Sequence, residues 1–300
     1  MISIVIPTRN EEKNIGNVLR SIKENDYRKK YEVIVVDGNS SDKTVEISRR
    51  MGARVIIQKG KLGVGSARNL GWKNARGDII VFLEADHKAA QGFLKKIDET
   101  FEDKKIIAAR PEIKVVVENW FQKIMSVQIE LSSRRQKVWE FPIIFRKSVL
   151  EKTGGYDEKL SFAEDREFPQ RLRKMGIKSK LIKRAVLYVK PIDSLKKLWR
   201  QGLWYGKNMI PYVKKSKDYL VVISVFIHSL AMPFLILGIV NNLFLFISGF
   251  LFLLMFLRAI QGFLYTKNFY AVLLPLIWII RGTSSLIGMI ISPFAKHRGR

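Results

Sequence analysis

Short apolar runs without polar alternation punctuate the N-terminal part of the chain. Ile2-Ser3-Ile4-Val5-Ile6 stops at Pro7, Glu32 to Val36 ends at Asp37, Ala53 to Ile57 follows, and Ile79-Ile80-Val81-Phe82-Leu83 runs into Glu84-Ala85-Asp86-His87. Runs of this kind predict strands covered on both faces, as in a parallel sheet with helices on either side. Between them the period lengthens. Ile15, Val18, Leu19 and Ile22 outline a helix that Asn10 would cap, with Glu11 and Glu12 in its first turn. A second helix follows Gly38-Asn39-Ser40-Ser41, capped by Ser41 or Asp42. A third opens at the glycine run 60–66, with Arg68 and Asn69 in its first turns. Strands alternating with short helices predict parallel βαβ units.

The polar residues gather where these strands end: Thr8 to Asn10, Asp37 with Asn39, and Glu84 with Asp86. In a parallel sheet those ends share one edge, where ligands of open α/β sheets bind. Two carboxylates one residue apart repel each other, so a divalent cation holding a diphosphate is the reading we take for Glu84 and Asp86. A strand that ends in a solvated acidic turn is the plainer alternative. The glycine run has neither the Gly-Lys-Ser/Thr ending of a phosphate-binding P-loop nor a GxGxxG fingerprint at a first βα turn.

The pattern changes after Asp218. Tyr219 to Leu257 carries no charged residue, only His228 and Asn241-Asn242 among aliphatic and aromatic side chains. That far exceeds the roughly 18 apolar residues that mark a membrane span. Divided at the asparagines it predicts spans at 219–240 and 243–257. A third apolar stretch, 269–294, is interrupted by Arg281-Gly282. Arginine in mid-span is costly in lipid, and a third span would put Lys296-His297-Arg298-Gly299-Arg300 outside, against the positive-inside tendency. A re-entrant or interfacial hairpin with a cytoplasmic tail is the expectation there.

Charge sharpens this division. Of the formal +26, the six basic residues beyond Asp218 carry +6, and no Asp or Glu accompanies them; residues 1–218 carry +20. A basic chain with apolar spans suits an anionic membrane surface. Zinc-finger spacing and a segment interleaving basic and aromatic residues are both lacking, so nucleic acid is not expected as a partner. Without cysteine there are no disulfides or thiolate metal sites. The chain starts directly with a strand, so no signal peptide is expected and the hydrophilic part is assigned to the cytoplasm.

Four motifs make the sequence recognisable: Ile6-Pro7-Thr8-Arg9-Asn10-Glu11-Glu12, Val36-Asp37-Gly38-Asn39-Ser40-Ser41-Asp42, Gly65-Ser66-Ala67-Arg68-Asn69 and Leu83-Glu84-Ala85-Asp86. In order and spacing they resemble the family 2 glycosyltransferases. Gly154-Gly155-Tyr156-Asp157-Glu158, Ala163-Glu164-Asp165, Arg171-Leu172 and Gly176 resemble the acceptor-side half of that family. The resemblance covers about residues 1–210. It implies a GT-A-type, Rossmann-like mixed sheet, mostly parallel, with helices on both faces, followed here by C-terminal transmembrane helices. It also implies a nucleotide-sugar donor, Mg²⁺ or Mn²⁺, and inversion at the anomeric carbon. By position, Pro7, Thr8, Asn10, Glu11, Asp37 and Asn39 would line the donor pocket, with Lys61, Arg68 and Glu84 beside it. Asp37 would accept from the base or ribose. Asp86 would be the principal metal ligand with Glu84 assisting, and Asp165, next to Glu164, the general base.

Three residues depart from the pattern. Glu84 stands where the first Asp of Asp-x-Asp is usual, Pro169 replaces an ordinary helix residue, and Pro142 precedes Ile143-Ile144-Phe145. A helix starting near Glu164 would put Pro169 close to its tolerant first turn.

An ionised phosphate acceptor needs no strong base, whereas a hydroxyl does, so the Glu164-Asp165 pair leans towards a hydroxyl on a lipid or lipid-linked sugar. Residues 193–218 read as an amphipathic linker between a catalytic domain (1–192) and a membrane domain (219–300). In that linker Leu195, Leu198, Trp199 and Leu203 share one face, a composition suited to the membrane interface. The family carries a closing element here, which would assign Arg200, Gln201 and Trp204 to the acceptor side. Two further readings stay open: a polyprenyl- or dolichyl-phosphate sugar synthase of the same fold, and a basic membrane-anchored binding protein without catalysis.

Overall fold

The structure is a computed structural model that describes residues 1–60, 63–136, 143–160, 163–217 and 219–292. Lys61, Pro142 and the basic tail 296–300 lie outside the described residues. The chain forms two compact units, Met1–Val116 with Lys137–Lys190, and Val117–Gln136 with Pro191–Arg298.

The first unit is built on one mixed sheet. Its strands are β1 (Ile2–Thr8), β2 (Tyr31–Asp37), β3 (Arg54–Ile57), β4 (Ile79–Phe82), β5 (Lys88–Ala89), β6 (Ala108–Val115), β7 (Ile144–Arg146) and β8 (Lys180–Val189). Among the described residues they run in the order β3-β2-β1-β4-β7-β6-β8-β5. The β3-β2-β1-β4 half is parallel throughout; β7 is antiparallel to β4 and β6, β5 is antiparallel to β8, and β6 and β8 are parallel.

Every residue of β1 is buried, as a strand covered on both faces requires. Ile2, Ile4 and Ile6 point to one side, packing with Ile15, Val18, Leu19 and Ile22 of α1 (Ile15–Lys23) and with Phe93 and Ile97 of α4 (Phe93–Phe101). Val5 points to the other side. It packs with Ala67 and Trp72 of α3 (Val64–Lys73), with Val149 and Leu150 of α6 (Lys147–Thr153) and with Phe168 of α7 (Glu164–Lys174). α3 lies unusually close to β1, because a Cβ on Gly71 would sit 2.2 Å from Val5 Cγ1. That approach fixes the height of Arg68 one turn earlier.

Register puts the strand ends together. Thr8 pairs with Asp37, Val5 pairs with Phe82, and the Leu83 amide donates to the Val5 carbonyl at 3.0 Å. The ends of β1, β2 and β4 therefore form one rim.

Three local expectations need correcting. Asn10 does not cap α1, which begins after a turn in which the Asn14 and Ile15 amides donate to the Glu11 carbonyl. Asn10 instead holds a left-handed backbone (φ 56°), and its side-chain Oδ1 accepts from the Ser41 amide at 2.8 Å. α2 (Thr44–Arg50) starts later than its polar lead-in, with Asp42 Oδ1 accepting from the Thr44 amide. Pro169 falls beyond the first turn of α7, inside the helix and buried; lacking an amide, it leaves the Asp165 carbonyl without its helical donor.

The second unit is helical. It takes α5 (Trp120–Gln136) from the middle of the sequence and adds α8 (Leu195–Ser216), α9 (Tyr219–Leu237), α10 (Asn242–Thr266), a 3₁₀ turn (Phe269–Leu273) and α11 (Leu274–Ile291). Phe121, Ile124, Met125 and Leu198 share its core with Met255, Leu274, Ile277 and Trp278. Three of its segments, Tyr219–Leu237, Asn242–Thr266 and Phe269–Ile291, are long and apolar enough to cross a membrane.

Here the structure departs from the sequence expectations in two places. The second span does not stop at Leu257; it continues through Arg258, whose guanidinium lies 4.9 Å from the Trp278 ring centre. The stretch expected as a hairpin at 269–294 is a 3₁₀ turn followed by one continuous helix through Arg281-Gly282. Arg281 does not break it because Nη2 donates to Gln201 Oε1 at 3.1 Å. Along α8 the foreseen apolar residues differ in exposure. Leu198 is buried in the helical core, whereas Leu195 and Trp199 are exposed.

Candidate active site

The rim is held by hydrogen bonds between the loops that leave β1 and β2. The Asn10 amide donates to Ser40 Oγ (2.8 Å), Glu11 to Thr44 Oγ1 (2.8 Å) and Glu12 to Asp42 Oδ2 (3.1 Å); in return the Lys43 amide donates to Glu12 Oε2 (3.2 Å). Asp37 is enclosed, with 1% of its surface exposed. Its carboxylate accepts from the Ser40 amide at 2.9 Å and the Ser40 hydroxyl at 2.5 Å. Asp37 therefore holds the loop after β2 in shape. Asn39, in a left-handed backbone (φ 61°), is exposed beside it. Pro7 is buried within the strand, and the buried Thr8 Oγ1 has no partner among the described residues.

On the far side of the rim, Arg68 is the hub. It is buried, and it donates through Nη1 to Glu164 Oε1 at 3.0 Å and through Nη2 to Glu84 Oε1. Its guanidinium carbon lies 4.9 Å from the centre of the Tyr156 ring, a cation–π contact. The next residue clamps the same segment: Asn69 Nδ2 donates to the Tyr156 carbonyl (2.8 Å) and Glu158 (2.9 Å), while Asn69 Oδ1 accepts from the Tyr156 amide (2.9 Å) and Trp72 Nε1 (3.0 Å). Gly155 makes room for this clamp. Its φ is +71°, and a Cβ there would lie 2.4 Å from Asn69 Oδ1; a side chain would meet both backbone strain and collision.

The acids divide by environment. Burial pushes the Glu164 carboxyl above its ordinary range, Arg68 pulls it back, and Asp165 and Glu84 add to the rise. Burial also works on Glu84, but Arg68 and then His87 outweigh it and hold this carboxyl below its ordinary range. Glu11 is raised, first by burial and then, against an opposing Asn14 hydrogen bond, by the charges of Asp86, Glu84 and Asp42. The mutual repulsion means that Glu11, Glu84 and Asp86 face one region. His87 Nδ1 accepts from the Glu84 amide at 3.1 Å. Asp86 and Asp165 are exposed, Asp165 in the first turn of α7.

This donor set suits a hard divalent cation of a particular kind. Among the described residues no three His, Cys, Asp or Glu side chains are arranged to enclose a metal on their own. Mg²⁺ typically binds through one or two carboxylates and completes its shell with phosphate oxygens and water. Asp86, exposed at the rim, matches that use. Glu84 does so less well than expected from the sequence, since Arg68 already occupies it.

Of the site residues foreseen in the first unit, Glu84, Arg68 and Glu164 are joined directly, and Asn10 and Asp37 meet through Ser40; Lys61 lies outside the described residues. Arg200, Gln201 and Trp204 belong to the second unit. Arg200 is exposed, Gln201 receives Arg281, and the Trp204 carbonyl accepts from Asn208 Nδ2 at 2.8 Å. Sequence reasoning missed Gln58, Ser40 and Asn69. Gln58 closes the third loop, its Nε2 donating to Ser66 Oγ at 2.6 Å. Nothing in its context marks Gln58, whereas Asn69 stands inside a recognised motif.

Comparison with known proteins bears on the family and the fold. The family model described as glycosyl transferase family 2 matches residues 3–154. A dolichyl N-acetyl-α-D-glucosaminyl phosphate 3-β-D-2,3-diacetamido-2,3-dideoxy-β-D-glucuronosyltransferase of Methanococcus voltae is 28% identical, over 85% of this chain and 80% of its own length. A dolichol-phosphate mannosyltransferase of Pyrococcus furiosus is 32% identical over 42% of this chain and 38% of its own length. Among solved structures, the mannosyltransferase PcManGT of Pyrobaculum calidifontis, in complex with GDP-Man and Mn²⁺, superposes with a TM-score of 0.60 at 18% identity, covering 99% of this chain and 88% of that one. S. aureus TarS gives 0.52 at 23% identity, over 68% of this chain and 39% of that one.

Proposed function

The chain belongs to glycosyl transferase family 2, and from that premise we propose that it transfers a sugar, with inversion, from a nucleotide-sugar donor to a lipid or lipid-linked saccharide at a membrane. The carrying observation is the bridge from Glu84 on the donor rim, through Arg68, to Glu164 at the start of α7. It couples the loops that would grip a nucleoside diphosphate to the helix that carries the base.

In this reading the loops after β1, β2 and β4 seat the nucleotide, with Asn10, Glu11 and Asn39 along the pocket and Asp37 keeping its wall in shape. A cation held by Asp86 would supply Lewis-acid relief of the charge that develops on the departing diphosphate. Asp165, exposed on the first turn, takes the acceptor hydroxyl's proton as oxygen attacks the anomeric carbon, a contribution of roughly 10²–10⁴ in rate. Glu164 is too enclosed to meet an acceptor and acts through Arg68 as a positioning residue. Arg200, Gln201 and Trp204 would serve the acceptor side. The acceptor class is supported by the Methanococcus relative's named activity and by the three helices fit to cross a bilayer. With the catalytic unit on the cytoplasmic side, the chain's basic surface would face anionic lipid.

The test incubates the full chain in detergent with a panel of radiolabelled nucleotide sugars and a membrane lipid extract, with and without chelator. Label moving into the lipid fraction only when divalent cation is present supports the proposal; no transfer from any donor refutes it. The Pyrococcus relative favours a second reading, a sugar synthase acting on a lipid phosphate. A product cleaved by mild acid as a sugar phosphodiester would select it.

A further inference from the structure

The transfer chemistry leaves unused a set of cations in the second unit. Arg281 lies in the middle of α11, and two other helices converge on it where small residues let backbones touch. A Cβ on Gly202 of α8 would lie 1.8 Å from Ser284 Oγ and 3.1 Å from the Arg281 carbonyl oxygen; one on Gly282 would lie 2.7 Å from His228 Cβ of α9. The guanidinium bonds Gln201, yet its Nε is buried without a partner among the described residues. His228 stacks on Trp278 at 5.7 Å, its Nδ1 is 3.4 Å from Ser224 Oγ, and it lies within electrostatic reach of both Arg258 and Arg281. No Asp or Glu stands on α8, α9, α10 or α11.

An arginine held among apolar helices with an unused donor is costly unless an anion meets it. Its planar fork matches a phosphate better than any other common anion except a carboxylate, and α9, α10 and α11 carry none. The outer surfaces of these helices are lined by exposed Ile236, Phe246, Phe250 and Ile290, so an anion arriving there comes on an apolar carrier. We propose that Arg281, with Gln201 and His228, receives the phosphate of a membrane lipid's head group. The inference rests on the reading of the acceptor as membrane-borne and adds where its phosphate docks.

The test measures binding of a polyprenyl monophosphate, the matching polyprenol and inorganic phosphate to the full chain in nanodiscs, for wild type, Arg281→Gln and Arg281→Lys. Thermal unfolding is followed alongside. Polyprenyl monophosphate should bind the Gln variant roughly 10- to 100-fold more weakly, the factor expected for one lost charge-assisted bond. The Lys variant, which keeps the charge and loses the fork, should fall between. Polyprenol should bind all three alike. Unchanged monophosphate binding in both variants overturns the inference. So does an equal loss for polyprenol, which would mean a structural effect, or inorganic phosphate binding as tightly as the lipid. Transfer to lipid extract by the wild type is read on the same preparation. Transfer with unchanged variant binding removes only this inference, while no transfer at all removes the acceptor reading beneath it.

Discussion

Arg68 Nη1 donates to Glu164 Oε1 at 3.0 Å across 96 positions of sequence, with only 9% and 10% of the two side chains exposed. The pair is buried, and its guanidinium also serves Glu84. Breaking it from one side leaves an uncompensated carboxylate inside the protein. Arg68→Ala should therefore destabilise the chain by about 3–5 kcal/mol, read by denaturant or thermal unfolding. Arg68→Lys should lose less stability while still losing transfer activity, because an ammonium cannot serve both acids in the plane of the fork.

The raised Glu164 carboxyl gives a pH signature. Between its ordinary value and its raised one, the folded chain keeps a proton that the unfolded chain has released. The stability from this group is thus full at lower pH and is lost as pH climbs through the raised value. Glu164→Gln abolishes the titration. The unfolding midpoint of the variant, relative to wild type, should rise as pH climbs from the ordinary carboxyl range through the raised value; a flat difference would count against the assignment.

Gly155→Ala probes the clamp around Tyr156. A left-handed alanine and a Cβ pressed onto Asn69 Oδ1 should together cost at least about 2 kcal/mol. Gly154, also left-handed at φ +75° but with open space at its Cβ, is the control. Its alanine variant should cost only the backbone part, as unfolding would show.

Binding should be cation-dependent through Asp86. Titration calorimetry of a nucleoside diphosphate into the full chain should give tighter binding with Mn²⁺ than with chelator. Asp86→Asn should remove most of that difference.

What the sequence made legible was set by range. β1, β2 and β4 stand out because strands buried on both faces carry unbroken apolar runs, and parallel pairing then brings Thr8, Asp37 and Glu84 to one rim without further information. Asn10 looked like a helix cap because its neighbours are local; its actual partners, Ser40 and Ser41, lie on another loop. Arg68 stood in a recognised motif beside the expected donor pocket, but its bridging role was hidden, since Glu84 and Glu164 come from other segments. α5 hid for a different reason. Its polar and apolar residues mix in a way that suits a soluble helix, and only packing against α10 and the 3₁₀ turn shows that it belongs with the apolar helices. Arg281 read as a break in a span because Gln201, which holds it, lies 80 positions earlier.

The most direct measurement compares rates of sugar transfer from nucleotide sugar to membrane lipid extract for wild type, Asp86→Ala and Asp165→Asn. The account predicts that Asp165→Asn slows transfer by roughly 10²–10⁴ and that Asp86→Ala abolishes its dependence on divalent cation. Transfer at the wild-type rate in both variants would contradict it.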